Sequence, residues 1–406
     1  MKIKKPTMLF ASPFPPIASG ISEYSSILVK ELALDFDITL YTDNFRITDR
    51  SLKGFRVFKN GVDKVNFTNY DYLVYNIGNQ PDFHGFIYEA ALAHPGFVIL
   101  HDFSLYYLFI GYHQAHNDLY SAIFRNEGVD FLRGLIHYKR HEYIRDILHC
   151  GYLASKYTLN EEMLASGNRF IVHSDYAKNK IMASGYVKED DILRIGMIHQ
   201  IEKDTKNTAR EKLFKKYRVP NNKSIIAAFG MIADTKLNRE TARAVLNLTE
   251  EVNKEICYIM VGEGNGVDDL LKKDTIIKTG YTSIDDFNSF IECADIVVNL
   301  RNPTRGETSA SIMRALEKGK PCITNNGGWF SELPDDCVYK IELKDIENEI
   351  CKAIQDLLTN KEKAKVLSEK ARQYASEIGS PTKIRSNITR FLLDCSAHDK
   401  DIDPQI

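Results

Sequence analysis

One polar loop, set between an apolar run and a helix-like segment, concentrates the groups this sequence could use for chemistry. Residues 296–300 read as a buried strand, and the loop that follows carries two arginines and Glu307. Thr308 or Ser309 then caps a helix. A strand that leads through a loop into a helix N-terminus presents free backbone N–H groups and the positive end of the helix dipole. The loop therefore predicts an anion site with a carboxylate beside it.

Length and composition narrow the class of protein. A chain of 406 residues favours two domains of roughly 200 residues each. The net charge of −2 gives no general attraction to nucleic acid, so no nucleic-acid partner is expected. The seven cysteines include no C-x-x-C pair, which argues against a zinc or redox motif, and no metal site is expected. The odd cysteine count and the short apolar run after the basic start favour a cytoplasmic protein.

Alternating strand and helix patterns predict an α/β fold with parallel sheets. A first series of strand–loop–helix units runs from Thr7 to Gly196, and a second runs from Ser224 to Lys340. A charged helical stretch, 201–219, separates them. We therefore expect two Rossmann-like domains, residues 1–200 and 201–380, with a cleft between them.

Two residues of the first domain lie where such sheets bind ligands, at the carboxyl ends of strands. Gly20 ends the proline-rich loop after the first strand, so its backbone is placed to approach a phosphate or a sugar. His101 directly follows the strand at 97–100. From the residues alone, a helix entry turn explains Gly20 equally well, and most single histidines have structural roles.

A helix expected over residues 131–149 carries a basic side that includes Arg133, Lys139, Arg140 and Arg145. Such a helix is suited to an anionic membrane surface or an acidic glycolipid. A solvated helix face is the simpler alternative, and the sequence leaves both open.

The run from Thr279 to Pro334 resembles glycosyltransferase family 4 of the retaining GT-B enzymes, and weaker similarity covers nearly the whole chain. The resemblance implies a GT-B architecture, with two Rossmann-like parallel-sheet domains facing across a cleft. The first domain faces the acceptor, and the C-terminal helix, about 381–396, is expected to join it. The second domain holds a nucleoside-diphosphate sugar, the donor substrate, and no further cofactor or metal is implied.

The diphosphate clamp of that family is altered here. The family places an arginine and a lysine after the first strand of the second domain. Lys236 matches the lysine, whereas Met231 occupies the arginine position. We infer that Arg305 or Arg301, on the loop described first, replaces the missing charge, because guanidinium groups suit phosphate oxygens.

The E-x7-E motif of the family is also altered. Glu307 matches the first glutamate, near the transferred sugar, and Arg314 stands at the second, normally a ribose contact. The resemblance assigns His101 to the sugar and the reaction centre. It also assigns further residues to the nucleotide and its phosphates: Gly20, Thr308, Ser309, Gly262, Glu263 and Tyr281.

The sequence thus predicts a metal-independent, hexosyltransferase-type retaining enzyme. It would move a sugar from a UDP- or GDP-linked donor to a glycan or lipid-linked glycan in polysaccharide or glycoconjugate synthesis, at the inner face of the membrane if the basic helix binds there. One alternative is a catalytically silent subunit that binds sugar nucleotides. A weaker one is an NAD(P)-dependent Rossmann oxidoreductase, because the glycines at 262, 264 and 266 lack the G-x-G-x-x-G spacing.

Overall fold

The computed structural model describes residues 4–140, 151–198, 206–220, 222–252 and 255–402. The chain divides into two compact units. Unit 1 comprises residues 1–198, 305–308 and 380–406, and unit 2 comprises residues 199–304 and 309–379. Each unit is built on one parallel sheet with helices packed on it.

The central strands of unit 1 are mainly apolar and buried, whereas the edge strand β3 (Arg56–Lys59) is not. They are β1 (Thr7–Ala11), β2 (Asp37–Thr42), β3 (Arg56–Lys59), β4 (Tyr72–Ile77), β5 (Phe97–Leu100), β6 (Arg169–Val172) and β7 (Ile192–Arg194). Their order in the sheet is β3-β2-β1-β4-β5-β6-β7, and every pair is parallel. The loops after β1, β4, β5 and β6 therefore emerge side by side at one edge of the sheet.

The helices of unit 1 connect these strands. They are α1 (Gly20–Leu32), α2 (Pro81–Ala93), α3 (Tyr106–Ala115), α4 (Leu119–Arg140), α5 (Gly151–Lys156), α6 (Glu161–Leu164) and α7 (Asp175–Ala183). Gly128 interrupts α4 with a non-helical conformation (φ 72°, ψ −167°). Of the basic helix expected over 131–149, the part up to Arg140 lies in α4, and residues 141–149 lie outside the described residues.

Unit 2 repeats the same plan. Its strands are β8 (Ser224–Phe229), β9 (Ile256–Val261), β10 (Ile276–Lys278), β11 (Ile296–Val298), β12 (Cys322–Asn325) and β13 (Tyr339–Ile341). Their order is β10-β9-β8-β11-β12-β13, again with parallel pairs only. Its helices are α8 (Lys206–Tyr217), α9 (Asn238–Val252), α10 (Ile284–Cys293), α11 (Ala310–Glu317), α12 (Ile346–Thr359) and α13 (Lys361–Ile378).

A buried carboxylate joins α8 to α10 in unit 2. Asp286 lies in the first turn of α10 and is 1% exposed. Lys212 Nζ is 2.7 Å from Asp286 Oδ1, and the Tyr217 hydroxyl donates to Oδ2 over 2.9 Å, where Lys216 also binds. Burial alone would raise the pKa of Asp286, but the hydrogen bonds from these cationic and hydroxyl donors hold it well below the ordinary value. This cluster fixes the helix that precedes β11.

The last helix, α14 (Pro381–Ile402), returns to unit 1. Thr389 donates its hydroxyl to Asp35 Oδ2 over 2.8 Å, and Arg385 Nε lies 3.5 Å from the same oxygen. The ring of Phe391 packs against that of Phe97 on β5, with centroids 5.7 Å apart. In the described ranges of the chain, no helix is both long enough and apolar enough to cross a membrane.

Local sequence signals set where several helices begin. Four helices, α1, α7, α10 and α11, are each preceded by a serine whose Oγ accepts a hydrogen bond from a backbone N–H of the first turn: Ser19, Ser174, Ser283 and Ser309. Serine is favoured at this position because its hydroxyl satisfies one of the N–H groups that the helix leaves free. All four helices start after loops at the carboxyl edge of a sheet, following β1, β6, β10 and β11.

Candidate functional site

Lys236 lies at the carboxyl end of β8, the first strand of unit 2. It ends a short 3-10 turn (Asp234–Lys236), and its Nζ donates to the carbonyl oxygen of Phe229 over 2.9 Å. Gly230 follows with φ +85°, and a Cβ there would lie 2.9 Å from the same Nζ. The ammonium group is therefore held against the end of the strand. Met231, by contrast, is 72% exposed and brings no charge to this edge.

The loop after β9 packs backbone to backbone on the loop after β8. Ile232 donates its N–H to the carbonyl of Glu263 over 2.6 Å, and Gly230 donates to Val261 over 3.0 Å. A Cβ on Gly262 would lie 2.1 Å from the carbonyl oxygen of Gly230. Only a glycine fits such an approach, so Gly262 has a structural reason to be glycine.

The loop after β11 joins the same edge. Asn302 donates its N–H to the carbonyl of Thr235 over 2.8 Å, so this loop is fixed directly to the one that carries Lys236. It leads to α11, which Ser309 caps by accepting from the N–H of Ile312 over 3.3 Å. The Oγ of Ser309 also accepts from Asn299 Nδ2 over 2.9 Å. Ser309 satisfies the third amide of α11, and the first two have no acceptor within the helix and can meet an anion.

The structure separates the two arginines that the sequence left as alternatives. Arg301 is 8% exposed, and its Nη1 donates to Asn299 Oδ1 over 2.9 Å and to the carbonyl of Leu300 over 2.8 Å. Its guanidinium also faces the ring of Phe330, with its carbon 5.9 Å from the centroid. Arg301 thus holds the end of β11 together and is buried in doing so.

Arg305 belongs to the short segment 305–308, which is part of unit 1, although the chain before and after it belongs to unit 2. Its guanidinium lies over the ring of Tyr107 at 5.0 Å, and Nη1 donates to the Tyr107 hydroxyl over 2.7 Å. Its carbonyl accepts from the N–H of Ser104 over 3.3 Å. Arg305 is therefore the more accessible of the two cations, with its guanidinium group supported by an aromatic ring.

Glu307 lies in the same segment. Its Oε2 accepts from the backbone N–H of Arg305 over 2.7 Å, which fixes one carboxylate oxygen. A Cβ on the intervening Gly306 (φ +80°) would lie 2.7 Å from the ring of Tyr176 and 2.8 Å from Phe103. Burial, followed by the nearby Glu307 charge, raises the pKa of Tyr176. The hydroxyl of Thr308 is buried and has no hydrogen-bond partner among the described residues.

His101 lies in a buried group of rings at the carboxyl edge of the unit 1 sheet. The centroid of Tyr24 lies 4.8 Å from that of His101 and 5.3 Å from that of His173, and the two histidines are 4.9 Å apart. His101 Nε2 is 2.6 Å from Asn76 Oδ1. Burial, with smaller contributions from His173 and His84, holds the pKa of His101 well below its ordinary value. The ring is therefore neutral near pH 7.

His173 and Asn76 did not emerge from the sequence as candidates. His173 is 3% exposed, and burial lowers its pKa to about 4. Asn76 is fully buried in β4. Both lie at or directly after the carboxyl end of a parallel strand, and this position is the criterion by which His101 was selected from the sequence. The same criterion, applied to every predicted strand, selects Asn76 and His173 as well.

Gly20 is the first residue of α1, directly after the cap Ser19. A Cβ at Gly20 would meet no atom within 4 Å, and its φ is not in the left-handed region. The fold therefore places no demand for glycine at this position. The helix entry is supplied by Ser19, and the absence of a side chain leaves the α1 N-terminus open.

Tyr281 and Arg314 complete the predicted set. Tyr281 follows β10 and is 65% exposed. Arg314, in the last turn of α11, donates from Nη1 to Asn288 Oδ1 on α10 over 3.0 Å. Arg314 therefore ties two helices of unit 2 together, and its positive charge suits a helix C-terminus. In the part of the chain that is described, no three His, Cys, Asp or Glu side chains are arranged to hold a metal ion.

Comparison with solved structures gives the fold a name. HepE of Anabaena, solved in complex with UDP and glucose, matches with a TM-score of 0.60 at 13% identity, over 95% of this chain and 99% of HepE. A glycosyltransferase from Rickettsia africae matches with a TM-score of 0.63 at 16% identity, over 96% and 99%. The glycosyltransferase WaaG, involved in lipopolysaccharide biosynthesis, matches with a TM-score of 0.60 at 14% identity, over 94% and 99%.

The chain has the GT-B fold. The expected architecture of two Rossmann-like α/β domains is thereby confirmed. No known protein family and no curated protein sequence matches the chain. Within this GT-B fold, the candidates in unit 2 follow four neighbouring strands, β10, β9, β8 and β11: Tyr281, Gly262, Glu263, Lys236 and Ser309. Those in unit 1 follow β1 and β5 or lie in the segment 305–308: Gly20, His101, Arg305, Glu307 and Thr308.

Proposed function

We propose that this protein is a glycosyltransferase that transfers a sugar from a nucleoside-diphosphate donor to a glycan or lipid-linked glycan, with retention of configuration and without a metal ion. The observation that carries the proposal is the hydrogen bond from Asn302 N–H to Thr235 C=O. It fixes the loop of Lys236 beside the loop that leads into α11. A lysine and the N-terminus of a helix at one sheet edge suit a diphosphate.

Sugar transfer requires that the leaving diphosphate be stabilised as negative charge develops on it. Lys236 supplies a cation held by the end of β8, and α11 supplies backbone N–H groups and a helix dipole. Such preorganised donors stabilise the developing charge without reorganisation during the reaction. Their presence supports a reaction without a metal, which a chelator titration tests directly.

The remaining candidates have proposed roles around the diphosphate and the sugar. Glu307 orients the transferred sugar through its carboxylate, which the backbone N–H of Arg305 holds in place. Arg305 supplies the cation that is missing at Met231, because Arg301 is buried in structural contacts. His101, neutral and next to Asn76, contacts sugar hydroxyls.

Family 4 membership, the UDP or GDP moiety and a role in polysaccharide or glycoconjugate synthesis are part of the same proposal. HepE supports a UDP-linked donor as the first to test, since its structures contain UDP and UDP-glucose. Gly262, Glu263 and Tyr281 follow the strands next to β8 and are proposed to meet the nucleotide. We propose that the reaction takes place in the cytoplasm.

A panel of UDP- and GDP-sugars tests the proposal. We expect calorimetry to show binding of one nucleoside diphosphate, and we expect slow release of that diphosphate from its sugar donor, unaffected by a chelator. The anomeric configuration of the product then reports retention. Binding without any turnover would favour the silent binding subunit. Binding of a nicotinamide dinucleotide instead of all sugar donors would favour the oxidoreductase.

A contact with the membrane surface is a separate proposal. The described part of α4 exposes two aromatic side chains before the interruption at Gly128, Phe124 at 54% and Tyr120 at 46%, and after it Arg133, which lies 3.7 Å from Asp130. Exposed aromatic rings and cations suit the headgroup region of an anionic bilayer. We expect the protein to sediment with phosphatidylserine vesicles at low salt and Phe124→Ser to do so less. Equal sedimentation with neutral and anionic vesicles would contradict an electrostatic contribution.

A further inference from the structure

A continuous chain of hydrogen bonds leads from α1 to the ring of His101. The hydroxyl of Ser25 is 2.6 Å from the carbonyl oxygen of Ile21. Asn76 Nδ2 is 2.5 Å from Ser25 Oγ, and Asn76 Oδ1 is 2.6 Å from His101 Nε2. Ser12, which follows β1, also contacts Ser25, with the two Oγ atoms 2.6 Å apart. All of these residues belong to unit 1.

The direction of every bond in this chain follows from its first member. A backbone carbonyl can only accept, so we assign the single proton of Ser25 to Ile21, and the proton of Ser12 then makes the contact between the two serine hydroxyls. Ser25 Oγ must then accept from Asn76, which places the NH₂ group of that amide toward Ser25 and its oxygen toward His101. The amide oxygen accepts in turn, so His101 Nε2 carries the proton.

A second histidine packs on the same asparagine and takes the opposite tautomer. His84 Nδ1 is 3.2 Å from the backbone carbonyl of Asn76, so Nδ1 donates. Among the described residues, the titratable groups that act on His101 are His84 from α2, His173 after β6 and Tyr24 from α1. Because none of these contributes a negative charge near pH 7, nothing in this shell favours an imidazolium at His101.

We propose that Asn76 is a positioning residue that fixes His101 as the Nε2–H tautomer, so that Nδ1 accepts a hydrogen bond from a hydroxyl of the sugar or of the acceptor. The proposal rests on the proposed function, which assigns His101 to the sugar. Within the described residues, Nδ1 makes no hydrogen bond, and His101 keeps 8% exposure. An unprotonated Nδ1 repels phosphate oxygens and suits an O–H donor.

Nitrogen NMR of the ¹⁵N-histidine-labelled protein, free of ligand, tests the tautomer. The His101 signals are assigned by their loss in His101→Asn. At pH 7 we expect a protonated Nε2 and an unprotonated Nδ1. Ser25→Ala removes the shorter of the two contacts that orient the Asn76 amide, the other being Nδ2 to Ser12 Oγ at 3.3 Å, and should populate the Nδ1–H tautomer in part. Ser22→Ala is the matched control, since Ser22 is a buried serine of α1 whose hydroxyl has no partner among the described residues. A wild-type His101 protonated at Nδ1, alone or with Nε2, would overturn the proposal.

Asn76→Asp gives a second and independent test. An aspartate has the same size but places a negative charge on Nε2–H, which favours the imidazolium and protonates Nδ1. We expect at least about tenfold lower kcat/KM at pH 7, recovering as the pH is raised, because the acidic limb of the profile moves upward. A variant that turns over sugar donor with the wild-type pH profile would contradict the positioning role. If the wild-type protein turns over no donor, the proposed function fails, while the NMR result still decides the tautomer.

Discussion

Asn302 donates its backbone N–H to the carbonyl oxygen of Thr235 across 2.8 Å, and this bond joins two loops of unit 2 that are far apart in sequence. Thr235 directly precedes Lys236, and Asn302 lies in the loop between β11 and α11. Because both partners are backbone atoms, the link does not depend on either side chain. The lysine and the helix N-terminus are consequently held in one frame, which is the basis of the proposed diphosphate site.

Replacing Lys236 should remove activity without unfolding the protein. The side chain is half-buried, and its ammonium group donates to the carbonyl oxygen of Phe229 at the end of β8, so we expect the variant to remain folded. Loss of one preorganised donor to a developing negative charge costs about 10²–10³ in kcat. We expect Lys236→Ala to show such a loss in transfer from the preferred donor. Lys365→Ala, an exposed lysine of α13, is the control and should behave as wild type.

Glu307→Gln should separate sugar orientation from donor binding. Glutamine keeps an oxygen that accepts from Arg305 N–H, so the conformation of the segment should persist. We expect kcat to fall about 100-fold or more while the dissociation constant of the nucleoside diphosphate changes little. Turnover like that of wild type would remove Glu307 from the site. The exposed Glu369→Gln on α13 controls for a general effect of charge.

Arg301 and Arg305 should respond differently to alanine. Arg301→Ala removes buried charge-assisted hydrogen bonds and should lower the free energy of unfolding by about 2 kcal/mol. Arg305→Ala should leave stability nearly unchanged and weaken donor binding about tenfold. Tyr107→Phe removes only the hydroxyl that Arg305 contacts, so it should give a smaller effect in the same direction. Thermal denaturation and calorimetry on the same samples compare them, and equal donor affinities in both arginine variants would exclude Arg305 as the replacement cation.

Two glycines should give opposite results. Gly20→Ala meets open space and adds a better helix former, so Tm should stay the same or rise. If phosphate or sugar approaches the α1 N-terminus, donor binding should nevertheless weaken, and more so for Gly20→Val. Gly262→Ala would place its Cβ 2.1 Å from the Gly230 carbonyl oxygen and should destabilise unit 2 by at least about 2 kcal/mol. If Gly20→Val bound the donor as tightly as wild type, Gly20 would have no role in donor binding and would serve only to start α1.

Three buried histidines should make unit 1 sensitive to acid. Burial lowers the pKa of His84 and of His173 to about 4, and it also lowers that of His101. In the unfolded chain a histidine binds a proton below about pH 6.5. The unfolded state therefore binds more protons between about pH 6.5 and 4, and stability, complete above that range, falls as the pH drops through it. Each neutral histidine contributes a slope of about 1.4 kcal/mol per pH unit.

His113 has the opposite effect on how stability depends on pH, because its pKa is raised and not lowered. Burial lowers its pKa, but hydrogen bonds to Glu162 and Asp118 outweigh burial and raise it. Urea unfolding from pH 7 to 5 should give a smaller slope in His84→Gln than in wild type. The exposed His116→Gln should leave the slope unchanged. An identical slope for wild type and His84→Gln would contradict the assignment of a neutral His84.

The sequence alone determined the features that depend on neighbours along the chain. Alternating strand and helix patterns, with serines before the helices, predicted the α/β architecture. Both the periodicity of apolar residues and the capping of a helix can be recognised within a few consecutive residues. The same local reasoning found the loop with Glu307 and Ser309, and the strand ends before Gly20 and His101. It left Arg301 and Arg305 equivalent, since they are four residues apart in one loop.

Only the tertiary structure decided which of these groups lie next to one another and which are buried. Strand order brought the loops after β10, β9, β8 and β11 side by side, and burial against Asn299 and Phe330 separated Arg301 from Arg305. The tautomer of His101 depends on a chain through Asn76 and Ser25, which are 51 residues apart. Hydrogen bonds over such separations are selected by the packing of the whole unit, and no local pattern in the sequence encodes them.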